Sequence, residues 1–136
     1  MRLHDDHKNS EPVLVISGLL YLLVALCARK KQEYRMMYSC LFLTFTTVGF
    51  HGTREEYMFI LDCIAIAWYL FELAMRSKGY SVWISQASVF YSLTSYFIGQ
   101  HYGKMSFDSD WNTQMIYHSL MHASTAFAGI MCLPYA

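Results

Sequence analysis

Five mostly apolar runs, at 13–28, 36–50, 57–75, 80–98 and 115–133, divide this chain, and nearly all of its charge falls between them. The charges gather at 1–11, 29–35, 54–56, 76–78 and 101–110. A helix needs about 20 residues to cross a bilayer, with a range of roughly 17–25. The third, fourth and fifth runs fit that length, while the first two need flanking residues or a thin membrane. The pattern predicts an all-α fold: a multi-pass transmembrane helical bundle of about five spans. One domain covers residues 1–136, with spans roughly at 13–28, 35–51, 57–76, 80–99 and 113–133.

Composition agrees with that expectation. Hydrophobic residues make up 55% and charged residues 15%, below the usual quarter for soluble domains. Ten cations balance ten anions, so no basic field is available for nucleic acid. There is no glycine-rich phosphate loop and no nucleotide motif. The mean hydropathy of +0.24 is modest and leaves room for a soluble bundle of greasy helices. Against it, the first and third runs are apolar all round, where a soluble helix carries a polar stripe. The first run also reads as a signal peptide cut after Ala25-Leu26-Cys27, but Asp5, Asp6 and Glu11 stand where such a leader carries positive charge. Cys27, Cys40, Cys63 and Cys132 lack paired-ligand spacing and read as reduced packing thiols.

Five spans place the two termini on opposite sides. One side receives Arg29, Lys30, Lys31, Arg35, Arg76 and Lys78, and the other Arg2, Lys8, Arg54 and Lys104. Lys and Arg favour cytoplasmic loops, so the N-terminus is expected to be non-cytoplasmic and the C-terminus cytoplasmic. Independently of that orientation, parity puts four ionisable residues in one leaflet. His51 ends the second span, Asp62 lies early in the third, and His118 and His122 lie early in the fifth.

Residues three and four apart share a helix face. Cys40, Thr44, Thr47 and His51 form one stripe, and His118, His122, Thr125 and Gly129 form another. Ser81, Ser85, Ser88, Ser92 and Ser95 make a serine seam, of the kind that lets membrane helices pack closely. Glu72 and Arg76 read as a snorkelling i,i+4 ion pair.

Ionisable side chains are costly in hydrocarbon and are rare there without a task. Two imidazoles at i,i+4 can point at one ion, and a third from a neighbouring helix completes a three-nitrogen face. Three protein ligands with an open fourth position is the arrangement of catalytic zinc. Such an ion brings its water near neutral pKa and polarises a carbonyl. In this reading His51, His118 and His122 bind Zn2+, and Asp62 orients the water or accepts its proton. Thr47 donates a hydrogen bond to the water or to a developing oxyanion. Plainer readings stand beside this one: His51 as an interfacial polar residue, and Asp62 paired with Arg54. His101, in a loop with Gly99, Gly103 and Lys104, reads as solvated, and His4 and His7 belong to a charged tail.

At these residues the chain resembles the CREST superfamily of membrane hydrolases and receptors. That group includes alkaline ceramidases, progestin and adiponectin receptors, lipid-remodelling proteins and myomaker-related proteins. The family shows Ser-x3-His at the end of one helix, Asp at the start of the next and His-x3-His in the last. The matching residues here are Thr47 and His51 in TTVGFHGT, Asp62 in MFILDCIA, and His118 and His122 in YHSLMHAST. The resemblance implies zinc held by His51, His118 and His122, with Asp62 and Thr47 around the metal-bound water. It covers a little under half the chain and departs from the pattern twice. Threonine replaces serine at 47, and five spans stand where the family has seven. The loss of two helices keeps the parity of the histidine helix but removes wall from the lipid cavity. A smaller pocket, a homodimer partner or lateral access from the bilayer would compensate.

The function expected is therefore a zinc-dependent hydrolase that cleaves the acyl amide or ester of a membrane lipid. The alternatives are a non-catalytic membrane receptor or fusion-type scaffold in which zinc only ties helices together, and a haem b protein using His51 with one histidine of the fifth run.

Overall fold

A computed structural model describes residues 11–134, so the tail that carries Arg2, His4, His7 and Lys8 lies outside the described residues. Each apolar run folds as helix. Pro12 opens α1 (Pro12–Gly18) at a position where its missing N–H costs nothing, and the chain continues through Leu19 into α2 (Leu20–Lys30). Next come α3 (Tyr34–Thr53), α4 (Glu56–Arg76) and α5 (Tyr80–Leu93). A π-helical turn (Thr94–Ile98), a short α6 (Gly99–Tyr102) and a 3-10 turn (Met105–Phe107) lead to α7 (Trp111–Met131). No strand forms among the described residues.

The helix ends are set by specific residues. Arg54 terminates α3 in the left-handed region at φ 59°, and its N–H donates to the Phe50 carbonyl at 2.7 Å. That conformation costs a non-glycine residue about 1–2 kcal/mol. It carries the Arg54 guanidinium over the Phe50 ring, 4.5 Å from the centroid, and onto Glu11. Gly79, at φ 56°, takes the sharp corner between α4 and α5. Asp110 caps α7 by accepting from the Thr113 N–H at 2.8 Å and its hydroxyl at 2.7 Å. Those two bonds, the hydroxyl's first, hold the exposed Asp110 carboxyl below the usual carboxylate range.

The rod formed by α1 and α2 packs against both α3 and α7, α4 packs along α3, α5 packs along α7, and α4 and α5 also meet. The Tyr69 hydroxyl donates to the Thr125 carbonyl at 2.6 Å and links α4 to α7. A core that includes Tyr21, Val24, Met36, Leu43, Tyr69 and Leu73 fills one half of the molecule. Gly129 makes this approach possible. A Cβ there would stand 2.9 Å from Val24 Cγ1 and nearer still to the Tyr69 hydroxyl. We therefore expect Gly129→Ala to lower the thermal midpoint in detergent, at a cost of roughly 1–3 kcal/mol for overpacking. An unchanged melting curve would show that α4 and α7 can separate freely at that level.

The expected Glu72–Arg76 pair belongs to a larger network. Buried Glu72 accepts from Arg35 at 2.9 Å and pairs with Arg76 at 3.2 Å, while Arg76 also reaches Glu33 at 2.5 Å. These contacts tie the start of α3 to the end of α4. Buried charge is tolerated when it is paired in this way. The serine seam is buried at Ser81, Ser85, Ser88 and Ser95, and α5 packs on α7.

Two helical stretches are long and apolar enough to cross a membrane: Pro12–Lys30, of 19 residues and mean hydropathy 2.1, and Glu56–Arg76, of 21 residues and 1.8. The fourth run differs from expectation, because the π turn cuts its α-helix to 14 residues. Both α3 and α7 are long, but Thr46, Thr47, His51, His122 and Thr125, all buried, dilute their hydropathy. The outer surface shows the opposite chemistry. Ile16, Phe45, Met75, Trp83 and Phe90 are each more than three-fifths exposed. Polar groups are thus buried beside an apolar core while large apolar side chains face outward.

Candidate metal centre

The end of α3 and the first turns of α7 meet across α1, and this brings the histidines together. The candidate ligand atoms of His51, His118 and His122 all lie within 4.8 Å of one another. Their ring centroids stand 4.9 Å (His51–His118), 5.4 Å (His51–His122) and 5.1 Å (His118–His122) apart. His51 and His122 are buried and His118 is half-buried. Tetrahedral zinc with Zn–N near 2.0–2.1 Å needs its nitrogens about 3.3 Å apart. Small side-chain rotations reach that spacing from the one observed, so the donor set fits a borderline cation.

Two of the three imidazoles are oriented from behind. His51 Nδ1 lies 2.5 Å from Glu11 Oε2, and an ionised carboxylate only accepts, so Nδ1 carries the proton. Glu11 Oε1 takes Arg54 Nη1 at 2.7 Å. The Glu11 N–H also donates to the His51 carbonyl at 2.8 Å. On the other side, His122 Nδ1 lies 2.8 Å from Ser17 Oγ, which itself donates to the Leu14 carbonyl at 3.2 Å. The Ser17 hydroxyl can serve either neighbour with its one proton; in the arrangement that keeps it on Leu14, Ser17 accepts from His122 Nδ1–H. Both rings then keep Nε2 as the bare nitrogen, the state in which imidazole binds a metal.

Asp62 is buried on α4. Its Oδ1 accepts from Thr47 at 2.7 Å and from Thr46 at 2.8 Å. Thr47 therefore directs its hydroxyl at Asp62. Arg54 pairs with Glu11, which removes the alternative in which it neutralises Asp62. Because Arg54 offsets Glu11, Asp62 remains as the carboxylate able to offset an added cation.

His51, His118, His122 and Asp62 share the wall of one cavity of about 390 Å³. Small-molecule sites span roughly 300–1,000 Å³, so this one is at the compact end. Tyr21 and Tyr69 add their rings, and Phe50, Phe59, Leu70 and Val89 make much of the remainder apolar. Cys63 and Ile66 on α4, and Leu93 and Phe97 on the facing side, line the cavity and are also exposed. The chamber thus reaches the outer apolar surface between α4 and α5, which touch each other far less than α5 touches α7. His101 is exposed on α6 and takes no part in the cluster. The four cysteines are unpaired thiols.

The residues not anticipated from sequence are Glu11, Ser17, Thr46 and Arg54. Glu11 did carry a signal: it is the acid immediately before the proline that opens the first apolar run. No protein-family description, curated protein or solved structure matches this chain.

Proposed function

We propose that this chain is an integral membrane protein in which His51, His118 and His122 hold one zinc ion, and that it hydrolyses the acyl amide or ester bond of a membrane lipid. The observation that carries the reading is the cavity: three convergent imidazoles and a carboxylate on the wall of a mostly apolar chamber that opens sideways between two helices. An exterior rich in large apolar side chains, with polar groups buried behind it, supports lipid as the surrounding solvent. Five spans, with the N-terminus non-cytoplasmic and the metal near that face, follow from the same reading. The resemblance to the CREST superfamily at Thr47, His51, Asp62, His118 and His122 adds weight to it.

Bound zinc would supply a water acidic enough to ionise near neutrality and a Lewis acid for the carbonyl. The chain's own residues do the rest. The apolar wall takes the acyl chain and excludes bulk water. Asp62 accepts the proton of the attacking water and returns it to the departing amine or alcohol. Thr46 and Thr47 hold Asp62 through its Oδ1, so Thr47 acts through Asp62 rather than on an oxyanion. The side opening replaces the wall that two further helices would provide, and the reading needs no homodimer partner.

The second reading, a zinc-tied receptor or scaffold, uses the same ligands. Asp62 held by two hydroxyls on the wall of a ligand-sized, mostly apolar cavity favours catalysis, since an ion that only tied helices together would need no such chamber beside it. A haem is disfavoured by the contact of all three rings, which leaves no slot for a porphyrin plane. The deciding experiment purifies the protein in nanodiscs and combines elemental analysis with fatty-acid release from ceramides and phospholipids. We expect about one zinc per chain and release that a chelator abolishes. Zinc without release from any lipid would select the scaffold. An absence of zinc would end both readings.

A further inference from the structure

We infer that α1 is the orienting strap of the metal centre: Glu11 and Ser17 fix the tautomer and ring direction of His51 and His122, and Arg54 locks Glu11 in place. The inference rests on the metal reading above and goes beyond it, because neither residue touches the ion. The two contacts come from Ser17 of α1 and from Glu11, the residue immediately before it, and reach ligands on two different helices. Glu11 Oε2 lies 2.5 Å from His51 Nδ1, and Ser17 Oγ lies 2.8 Å from His122 Nδ1. In both rings it is Nδ1 that is engaged, so Nε2 is the atom each presents to the ion.

Glu11 is held more firmly than a surface acid. It is 1% exposed, its N–H donates to the His51 carbonyl at 2.8 Å, and its other carboxylate oxygen is 2.7 Å from Arg54. A carboxylate behind a metal-binding imidazole raises the basicity of that ligand, and losing such a partner costs metal affinity about 10–100-fold. A hydroxyl behind His122 does the same more weakly, because it carries no charge. The left-handed turn at Arg54 gains a use from this arrangement: it brings the guanidinium back onto the carboxylate that orients the last residue but two of α3.

Zinc affinity, measured by chelator competition, and the visible spectrum of the cobalt-substituted protein test the assignment on the full chain. Glu11→Ala should weaken zinc about 10–100-fold and alter the cobalt bands, and Glu11→Gln, which still accepts from Nδ1–H, should recover part of the loss. Ser17→Ala should weaken zinc by up to about tenfold, and it decides the matter if Glu11→Ala does not fold. If wild type binds zinc while all three variants bind within about twofold of it and show unchanged cobalt bands, the strap is wrong and the metal centre stands. If wild type binds no metal, the centre itself is wrong and the strap falls with it.

Discussion

Alanine at His118 or His122 leaves the purified protein with little zinc and no measurable hydrolysis, while His101→Ala retains both. The expectation follows from geometry. Three nitrogens lie within 4.8 Å of one another, and removing one leaves two neutral donors on a cation that favours four ligands. Losing a direct ligand should exceed the roughly 10–100-fold cost of losing a residue behind one. His118 is the better test, because it is half-buried and its replacement strains packing least. His51 is the poorer one, since its removal also takes a partner from the buried Glu11 carboxylate. His101 is exposed and remote from the cluster, so it controls for nonspecific binding. Elemental analysis of the three proteins, alongside a helicity measurement, reads the result. Wild-type zinc content in both cluster variants would mean that the imidazoles are packed together for another reason.

The histidine cluster was readable because it depends on short-range regularity. His118 and His122 are one helical turn apart, Thr47 and His51 likewise, and parity carries Asp62 to the same level. The helices are readable for a related reason: charge collects between the apolar runs, where the helices end. What lay beyond reach depends on contacts between distant parts of the chain. Glu11 meets a histidine forty residues away, and Ser17 meets one more than a hundred residues away. By composition, Glu11 belongs with the acids of a charged tail, and its one local distinction from Asp5 and Asp6, a place just before Pro12, names no partner. The bond from the Thr47 hydroxyl to Asp62 is not legible either, because a helical stripe gives a face but not the partner across it. The π turn at Thr94–Ile98 was also hidden. No proline or glycine precedes it within α5, and such turns gather where a site needs side chains redirected. Here the turn supplies Tyr96 and Phe97 to the cavity wall.

Asp62→Asn separates binding from turnover. The asparagine carbonyl can still accept from both Thr46 and Thr47, so the local shape persists while the charge and the proton-accepting capacity are lost. If Asp62 moves the proton, zinc stays near one per chain and hydrolysis falls about 10²–10⁴-fold, the usual contribution of a positioned acid–base group. Asp62→Ala is a harsher change, because it leaves two buried hydroxyls without their acceptor, and part of its effect would be structural. Thr47→Val removes one of those donors and keeps the carboxylate, so its effect should be smaller than that of Asp62→Asn. Single-turnover release of fatty acid from a preloaded lipid, with zinc measured in the same samples, distinguishes the cases. Full turnover in Asp62→Asn would reduce Asp62 to a hydrogen-bonding post between α3 and α4, and the proton would then need another carrier among the groups that line the cavity.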